Sequence, residues 1–136
     1  GAVLSPFDSY QLIRGLKTLS LRMERSTANA QEIVAFLEQS PAVKEVLYTG
    51  RGGMISFKVA DEKRIPHILN TLKVFSFAES LGGVESLITY PTTQTHADIP
   101  AEVRHSYGLT DDLLRLSIGI EDARDLIEDL EQALAR

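Results

Sequence analysis

The chain has 136 residues, 43% of them hydrophobic and 24% charged, which suits one globular domain with a core of its own. Its net charge of −5 argues against nucleic acid or an anionic membrane as a partner, because both require a basic face. The absence of cysteine excludes disulfides and thiolate chemistry, and we expect a cytoplasmic location. We expect no membrane span and no signal peptide, since the required apolar runs are missing.

The first 40 residues are predicted to be largely helical. Ser5 and Pro6 have the residue types of an N-cap and a first helical position. Apolar residues then recur at helical spacing over 6–40, and Pro41 ends the pattern. Gly15 weakens the helix, so we expect a kink or break.

A β-hairpin is predicted next. The segments Val43–Tyr48 and Met54–Val59 are rich in β-formers, and residues 49–53 between them suit a tight turn. A second helix is expected to begin at Asp61 or Glu62.

The remainder is predicted to contain three strands and two helices. We expect the strands at 74–78, 86–90 and Leu113–Ser117, with a turn at 81–83, and the helices at 100–107 and from Asp122 onward. The connections are short, so the fold is predicted to be α/β of the α+β type. It should have a small, mostly antiparallel sheet with helices on one face. We expect residues 1–136 to form a single domain.

Arg115 is the residue of greatest chemical interest. It lies in the middle of a predicted strand between Leu114 and Leu116, where a guanidinium must find a partner. One interpretation is a structural ion pair with an acid such as Glu121 or Asp122. The other is a bidentate clamp for a ligand carboxylate, which the planar guanidinium suits better than lysine does.

No other residue pattern indicates catalysis or metal binding. Glu79 and Glu85 are not paired by any fixed spacing, and the three histidines lack metal-ligand spacing. Thr95 and His96 lie in a Thr-rich loop, where hydrogen bonding within the loop is the simpler interpretation. We therefore predict no catalytic residue and no metal site in this chain.

Three motifs in a fixed order carry a family resemblance: residues 77–87 (FAESLGGVESL), 93–100 (TQTHADIP) and 113–122 (LLRLSIGIED). They resemble the C-terminal domain of the cystathionine γ-synthase-like family, the pyridoxal-phosphate (PLP) enzymes of cysteine and methionine metabolism. Residues 4–10, 14–19 and 52–57 also look like this family. The similarity thus covers essentially the whole chain.

The resemblance implies a fold-type-I PLP enzyme that makes or breaks C–S bonds in cystathionine, homoserine esters and related amino acids. It also implies that a large preceding domain, absent from this chain, holds PLP on a lysine. None of the five lysines of this chain matches that context, so we expect no cofactor-binding residue here and no activity from this chain by itself. The implied partners are an amino-acid substrate, the chain's own N-terminal PLP domain and further copies in a homo-oligomer.

The resemblance also implies roles for four residues. In enzymes of this type the arginine of Leu-Arg-Leu-Ser, here Arg115, holds the substrate α-carboxylate. Glu79 and Ser80 are then expected to border the substrate pocket, and Thr95 to line the same side.

Three functions remain open at this point. The leading interpretation is the C-terminal domain of a cystathionine γ-synthase or homoserine-ester thiol-lyase. A cystathionine β- or γ-lyase is the alternative, and a stand-alone amino-acid-binding or assembly module is the third. Family members commonly have a longer segment opened by Tyr-Pro-Gly between the first two strands. Here residues 48–53 are short, with Thr49 in the proline position, which leaves any role of that segment in doubt.

Overall fold

A computed structural model describes residues 2–135. Five strands form one sheet in the order β1-β2-β5-β4-β3; they are β1 (Val43–Tyr48), β2 (Met54–Val59), β3 (Ser76–Phe77), β4 (Leu87–Thr89) and β5 (Leu113–Ser117). The helices are α1 (Pro6–Leu16), α2 (Leu19–Gln39), α3 (Ile65–Thr71), α4 (Ala101–Ser106) and α5 (Ala123–Leu134). A short 3₁₀ turn at Glu62–Arg64 leads into α3.

The α/β fold with a mostly antiparallel sheet is confirmed. The β1–β2, β2–β5 and β4–β5 pairs are antiparallel, whereas β3 and β4 run parallel. The predicted hairpin strands and β5 have the expected bounds, while β3 and β4 are shorter than predicted.

The parallel β3–β4 pair follows from the path of the loop that joins the two strands. The Glu79 carbonyl accepts from Arg115, the Gly82 amide donates to the Ser117 hydroxyl, and the Val84 carbonyl accepts from the Ile120 amide. The loop therefore runs back along β5 before it enters β4. A turn at residues 81–83 that reversed the chain at once would have made an antiparallel pair.

One face of the sheet is covered by helices. Alternate residues of β2 and β5, such as Phe57 and Leu116, point to this face, as the two-residue period of a strand requires. They meet the apolar stripes of α2, α3 and α5 in one core, whose fully buried large side chains include Ile33, Leu37, Ile55, Phe57, Ile65, Ile68, Leu114, Leu116, Leu126 and Leu130. Burying a side chain of this size contributes about 1.5–3 kcal/mol to the stability of the fold.

The predicted N-terminal helical segment consists of two helices. Ser5 is the N-cap of α1, and its hydroxyl accepts from the Asp8 amide at 3.1 Å. The helix stops at Leu16, and α2 begins at Leu19. Arg22 bridges this break by donating through Nη2 to the Gly15 carbonyl at 2.7 Å and through Nε to the Thr18 hydroxyl at 3.2 Å. No side chain of α1 is buried.

The C-terminal part follows the local sequence signals. Gly108 has a φ of 86° just beyond α4, the left-handed conformation expected of a glycine after a helix. Asp122 caps α5 and accepts from the Arg124 amide. Within residues 2–135, no helix combines the length and hydrophobicity that a membrane span requires.

Candidate functional site

The face of the sheet opposite the helices contains a row of three polar residues. Arg115 lies on the central strand β5, with Ser56 of β2 and Thr89 of β4 as its cross-strand partners in register. Residues in register on neighbouring strands point to the same face. This row therefore places Arg115 between two hydroxyl groups on the face that the helices leave open.

Arg115 is held by neutral groups only. Its Nη2 donates to the Glu79 carbonyl at 3.2 Å and to the Thr89 hydroxyl at 3.1 Å. Its Nε is buried and has no hydrogen-bond partner. Among residues 2–135, no carboxylate lies within ion-pair distance of this guanidinium.

The interpretation of Arg115 as an ion-pair partner of Glu121 or Asp122 is wrong. The Glu121 carboxylate accepts from the Ser86 amide at 2.6 Å and from the Ser86 hydroxyl at 2.9 Å. Asp122 caps α5 and lies 3.6 Å from the Arg124 Nε. Both acids follow β5 in the turn into α5, beyond the row that contains Arg115.

The lysines of the neighbouring strands are neutralised, in contrast to Arg115. Lys58 of β2 contacts Glu45 at 2.7 Å, and this hydrogen bond raises the pKa of the Lys58 ammonium. Lys44 of β1 contacts Asp112 at 2.9 Å. A partly buried charge without a counter-ion is costly, and the unneutralised guanidinium of Arg115 is chemically suited to an anion.

The loop that follows β3 brings Glu79 and Ser80 to this face. Glu79 reaches Arg115 through its backbone carbonyl, while its carboxylate and the Ser80 side chain are exposed. Ser117 anchors the loop by accepting from the Gly82 amide at 2.8 Å. At Gly119 an added Cβ would collide with the Val84 carbonyl, so glycine allows the loop to pass this close to the end of β5.

Thr95 is not joined to Arg115 by any hydrogen bond in the described part of the chain. Its side chain is exposed, and its hydroxyl pairs with Nδ1 of the adjacent His96 at 2.7 Å. The structure thus brings together Arg115 and Glu79, with Ser80 next to Glu79, whereas the Thr95 hydroxyl is engaged by His96. Thr89 and Ser56 were not predicted as site residues, because only the strand register places them beside Arg115.

The fold and the row around Arg115 were compared with known proteins to identify the family. The family model for Cys/Met metabolism PLP-dependent enzymes matches residues 1–135. The chain therefore belongs to this family.

Three relatives show which reactions the family covers. A cystathionine γ-synthase/O-acetylhomoserine (thiol)-lyase of Bacillus subtilis is 59% identical over the whole chain, which spans 36% of that protein. A cystathionine γ-lyase of B. subtilis is 50% identical, and a cystathionine β-lyase of Lactococcus lactis is 47% identical; the chain spans 40% of each. The chain thus spans well under half the length of these relatives.

A solved structure agrees with the sequence relatives. Cystathionine γ-lyase from Lactobacillus plantarum, in complex with L-serine, matches with a TM-score of 0.88 and 37% identity. The match covers 98% of this chain and 39% of that one. The fold described above is therefore shared with one part of that lyase.

The residues of this chain do not fit PLP itself. Lys44 and Lys58 are engaged in ion pairs with acids, and Lys17, Lys63 and Lys73 are exposed, whereas a lysine that carries PLP is tuned by a surrounding pocket. In residues 2–135 no group of three or more His, Cys, Asp or Glu side chains is placed to hold a metal ion.

Proposed function

We propose that this chain is the substrate-facing C-terminal domain of a PLP-dependent trans-sulfuration enzyme and that Arg115 binds the α-carboxylate of its amino-acid substrate. The observation that carries the proposal is the half-buried Arg115 guanidinium, which has no acidic partner within residues 2–135 and has a buried Nε without an acceptor. A ligand carboxylate supplies the counter-charge that is missing.

The surroundings of Arg115 suit a role in orienting the substrate. Nη2 is fixed by the Glu79 carbonyl and the Thr89 hydroxyl, so the guanidinium is held before the ligand arrives. A charge-assisted contact to a carboxylate then fixes one end of the amino acid. Glu79 and Ser80 then border the substrate pocket, and Thr95 lines the same side of it. PLP, when bound to the rest of the enzyme, stabilises negative charge at the substrate carbon atoms.

Among the family activities we favour cystathionine γ-synthase or homoserine-ester thiol-lyase. The synthase/thiol-lyase of B. subtilis and a cystathionine γ-synthase of Haemophilus influenzae align over 136 and 135 positions. The γ-lyase and the β-lyase align over 150 and 152 positions, which exceeds the length of this chain and so requires gaps in it. The compact turn at residues 48–53 agrees with the shorter alignments. A cystathionine β- or γ-lyase is the alternative.

We further propose that the PLP domain of the same polypeptide covers α1. Leu12 and Leu16 on this helix are 56% and 64% exposed, and exposed apolar groups of this kind mark interaction surfaces. The chain by itself is then inactive, and the intact enzyme is a cytoplasmic homo-oligomer. If the complete coding sequence contained no PLP-binding domain, the proposal would fail in favour of a stand-alone amino-acid-binding or assembly module.

The test replaces Arg115 in the full-length enzyme. We expect Arg115→Ala to lower kcat/KM by about 30- to 1000-fold, equivalent to roughly 2–4 kcal/mol, because a partly desolvated charge-assisted contact is lost. Arg115→Lys keeps the charge but loses the planar fork, so it should also cost substantially. Steady-state kinetics with cystathionine and with O-acetylhomoserine plus cysteine measure both effects and distinguish synthase from lyase.

Lys58→Met is the matched control. Lys58 lies on the same face of the sheet but is already paired with Glu45, so its loss should leave kcat/KM nearly unchanged. An Arg115→Ala enzyme that melts earlier yet keeps near-normal kcat/KM would show that Arg115 has only a structural role.

A further inference from the structure

Thr89 occupies a position where its hydroxyl serves two partners at once. The side chain is 1% exposed, and its Oγ1 lies 2.7 Å from the Ala78 carbonyl and 3.1 Å from Nη2 of Arg115. A carbonyl only accepts, and a guanidinium only donates. The single hydroxyl proton must therefore go to Ala78, which leaves the oxygen lone pairs for Arg115.

We infer that Thr89 is a positioning residue for substrate binding, because it sets the direction in which the Arg115 guanidinium points. This inference rests on the proposed role of Arg115. Arginine loses considerable side-chain entropy when it is fixed, and binding is stronger when that cost is met before the ligand arrives. The hydrogen bond to the Thr89 hydroxyl already restricts the Arg115 side chain in the free enzyme, so less entropy is lost when the substrate binds.

The same hydroxyl couples Arg115 to the substrate loop. Ala78 precedes Glu79, whose carbonyl is the second acceptor of Nη2. Thr89 thus joins strand β4, the beginning of the loop and the guanidinium in one hydrogen-bonded unit. Loss of the hydroxyl frees the Ala78 carbonyl and one Nη2 proton together, so the loop and the guanidinium lose their common anchor.

Two substitutions separate the hydroxyl from the shape of the side chain. Thr89→Val keeps the branched shape that suits a strand but removes both hydrogen bonds. Thr89→Ser keeps the hydroxyl and removes a methyl group. A positioning role predicts that Ser rescues and Val does not, whereas a packing role predicts the opposite order.

The first experiment titrates the full-length PLP enzyme with L-cystathionine and follows the visible absorption of the cofactor, which reports binding whichever reaction the enzyme catalyses. We expect Thr89→Val to raise the Kd by about 10- to 150-fold, in the range of one hydrogen bond to a charged group. Thr89→Ser should stay within about 3-fold of the parent enzyme by the same reasoning. The absorption spectrum of the free enzyme should not change in either variant.

A double-mutant cycle with Arg115→Ala gives the decisive comparison. If Thr89 acts through Arg115, Thr89→Val has no further effect on Kd once Arg115 is absent. Equal effects of Thr89→Val in both backgrounds would overturn the inference. If Arg115→Ala weakens binding but Thr89→Val does not, only the inference about Thr89 fails. If Arg115→Ala itself binds normally, the proposed function fails with it.

A second measurement is independent of catalysis and cofactor. In the 136-residue chain, the NMR signal of the Arg115 Nε–Hε group should be sharp in the parent and in Thr89→Ser, and broadened in Thr89→Val. Thr89→Ala replaces Thr89→Val in both experiments if the valine variant does not fold. An unchanged Nε–Hε signal without the hydroxyl would contradict the inference.

Discussion

Helices α1 and α5 have similar lengths but different environments. They contain 11 and 12 residues, and each has an apolar stripe at helical spacing. Six residues of α5 are buried, among them Leu126 and Leu130, whereas none of α1 is. An apolar stripe at helical spacing therefore does not by itself determine whether a helix is covered within residues 2–135.

The two helices also differ in how they are attached. Asp129 of α5 accepts hydrogen bonds from three consecutive backbone amides, those of Lys73, Val74 and Phe75. The attachment of α1 includes its packing against α2 and the contacts that Arg22 makes across the break between them. We expect α5 to determine the stability of this chain and α1 to determine its associations.

The largest expected effect is a loss of stability in α5. Leu130→Ala should reduce the free energy of unfolding by about 2–5 kcal/mol, because it leaves a cavity in the core. Leu12→Ala, the matched change in α1, should alter it by about 0.5 kcal/mol or less, since that side chain is 56% exposed. Urea denaturation of the 136-residue chain measures both, and equal losses would abolish the distinction between the helices.

The second effect depends on pH and concerns Asp129. Burial raises the pKa of this carboxyl, but hydrogen bonds from the Phe75, Lys73 and Val74 amides and from Gln132 outweigh it, and the pKa lies below its usual value. Because the folded pKa is lower than the unfolded one, Asp129 stabilises the fold at neutral pH. This contribution is lost as the pH falls through the folded pKa.

Replacing the Asp129 carboxylate tests this directly. Asp129→Asn should lower the free energy of unfolding by about 1–3 kcal/mol at neutral pH. The free energy of unfolding of this variant should also decrease less than that of the parent as the pH is lowered. Asp125→Asn, an exposed change on the same helix, is the control and should do neither. The test measures denaturation midpoints from neutral to acid pH. If the midpoints of the parent and of Asp129→Asn changed in parallel with pH, the Asp129 carboxylate would not be a source of the pH-dependent stability.

The smallest effect concerns self-association through α1. We expect the 136-residue chain to associate at high concentration through the exposed surface formed by Leu12, Leu16 and Leu19. Leu16→Glu should shift sedimentation toward monomer without lowering the melting temperature. Val103→Glu on α4, where the side chain is 46% exposed, should not. If the parent chain stayed monomeric at high concentration, the exposed apolar residues of α1 would not drive association.

Local signals in the sequence were sufficient for most elements but not for the site. The N-caps Ser5 and Asp122 and the bounds of β1, β2 and β5 follow from residue types and periodicity. Arg115 was identified because a charge in an apolar strand is costly. Thr89 was not, because its contact with Arg115 depends on the register of strands 26 residues apart along the chain, which no local pattern determines.

The position of β5 has a consequence for the synthesis of this protein. It lies at the centre of the sheet, yet it is the last strand in chain order. While the polypeptide emerges from the ribosome, β2 and β4 therefore have no neighbour between them, and their edges stay open until residues 113–117 appear. Such unpaired edges invite wrong pairing. We expect mispairing of the nascent chain to be a risk until residues 113–117 have left the ribosome.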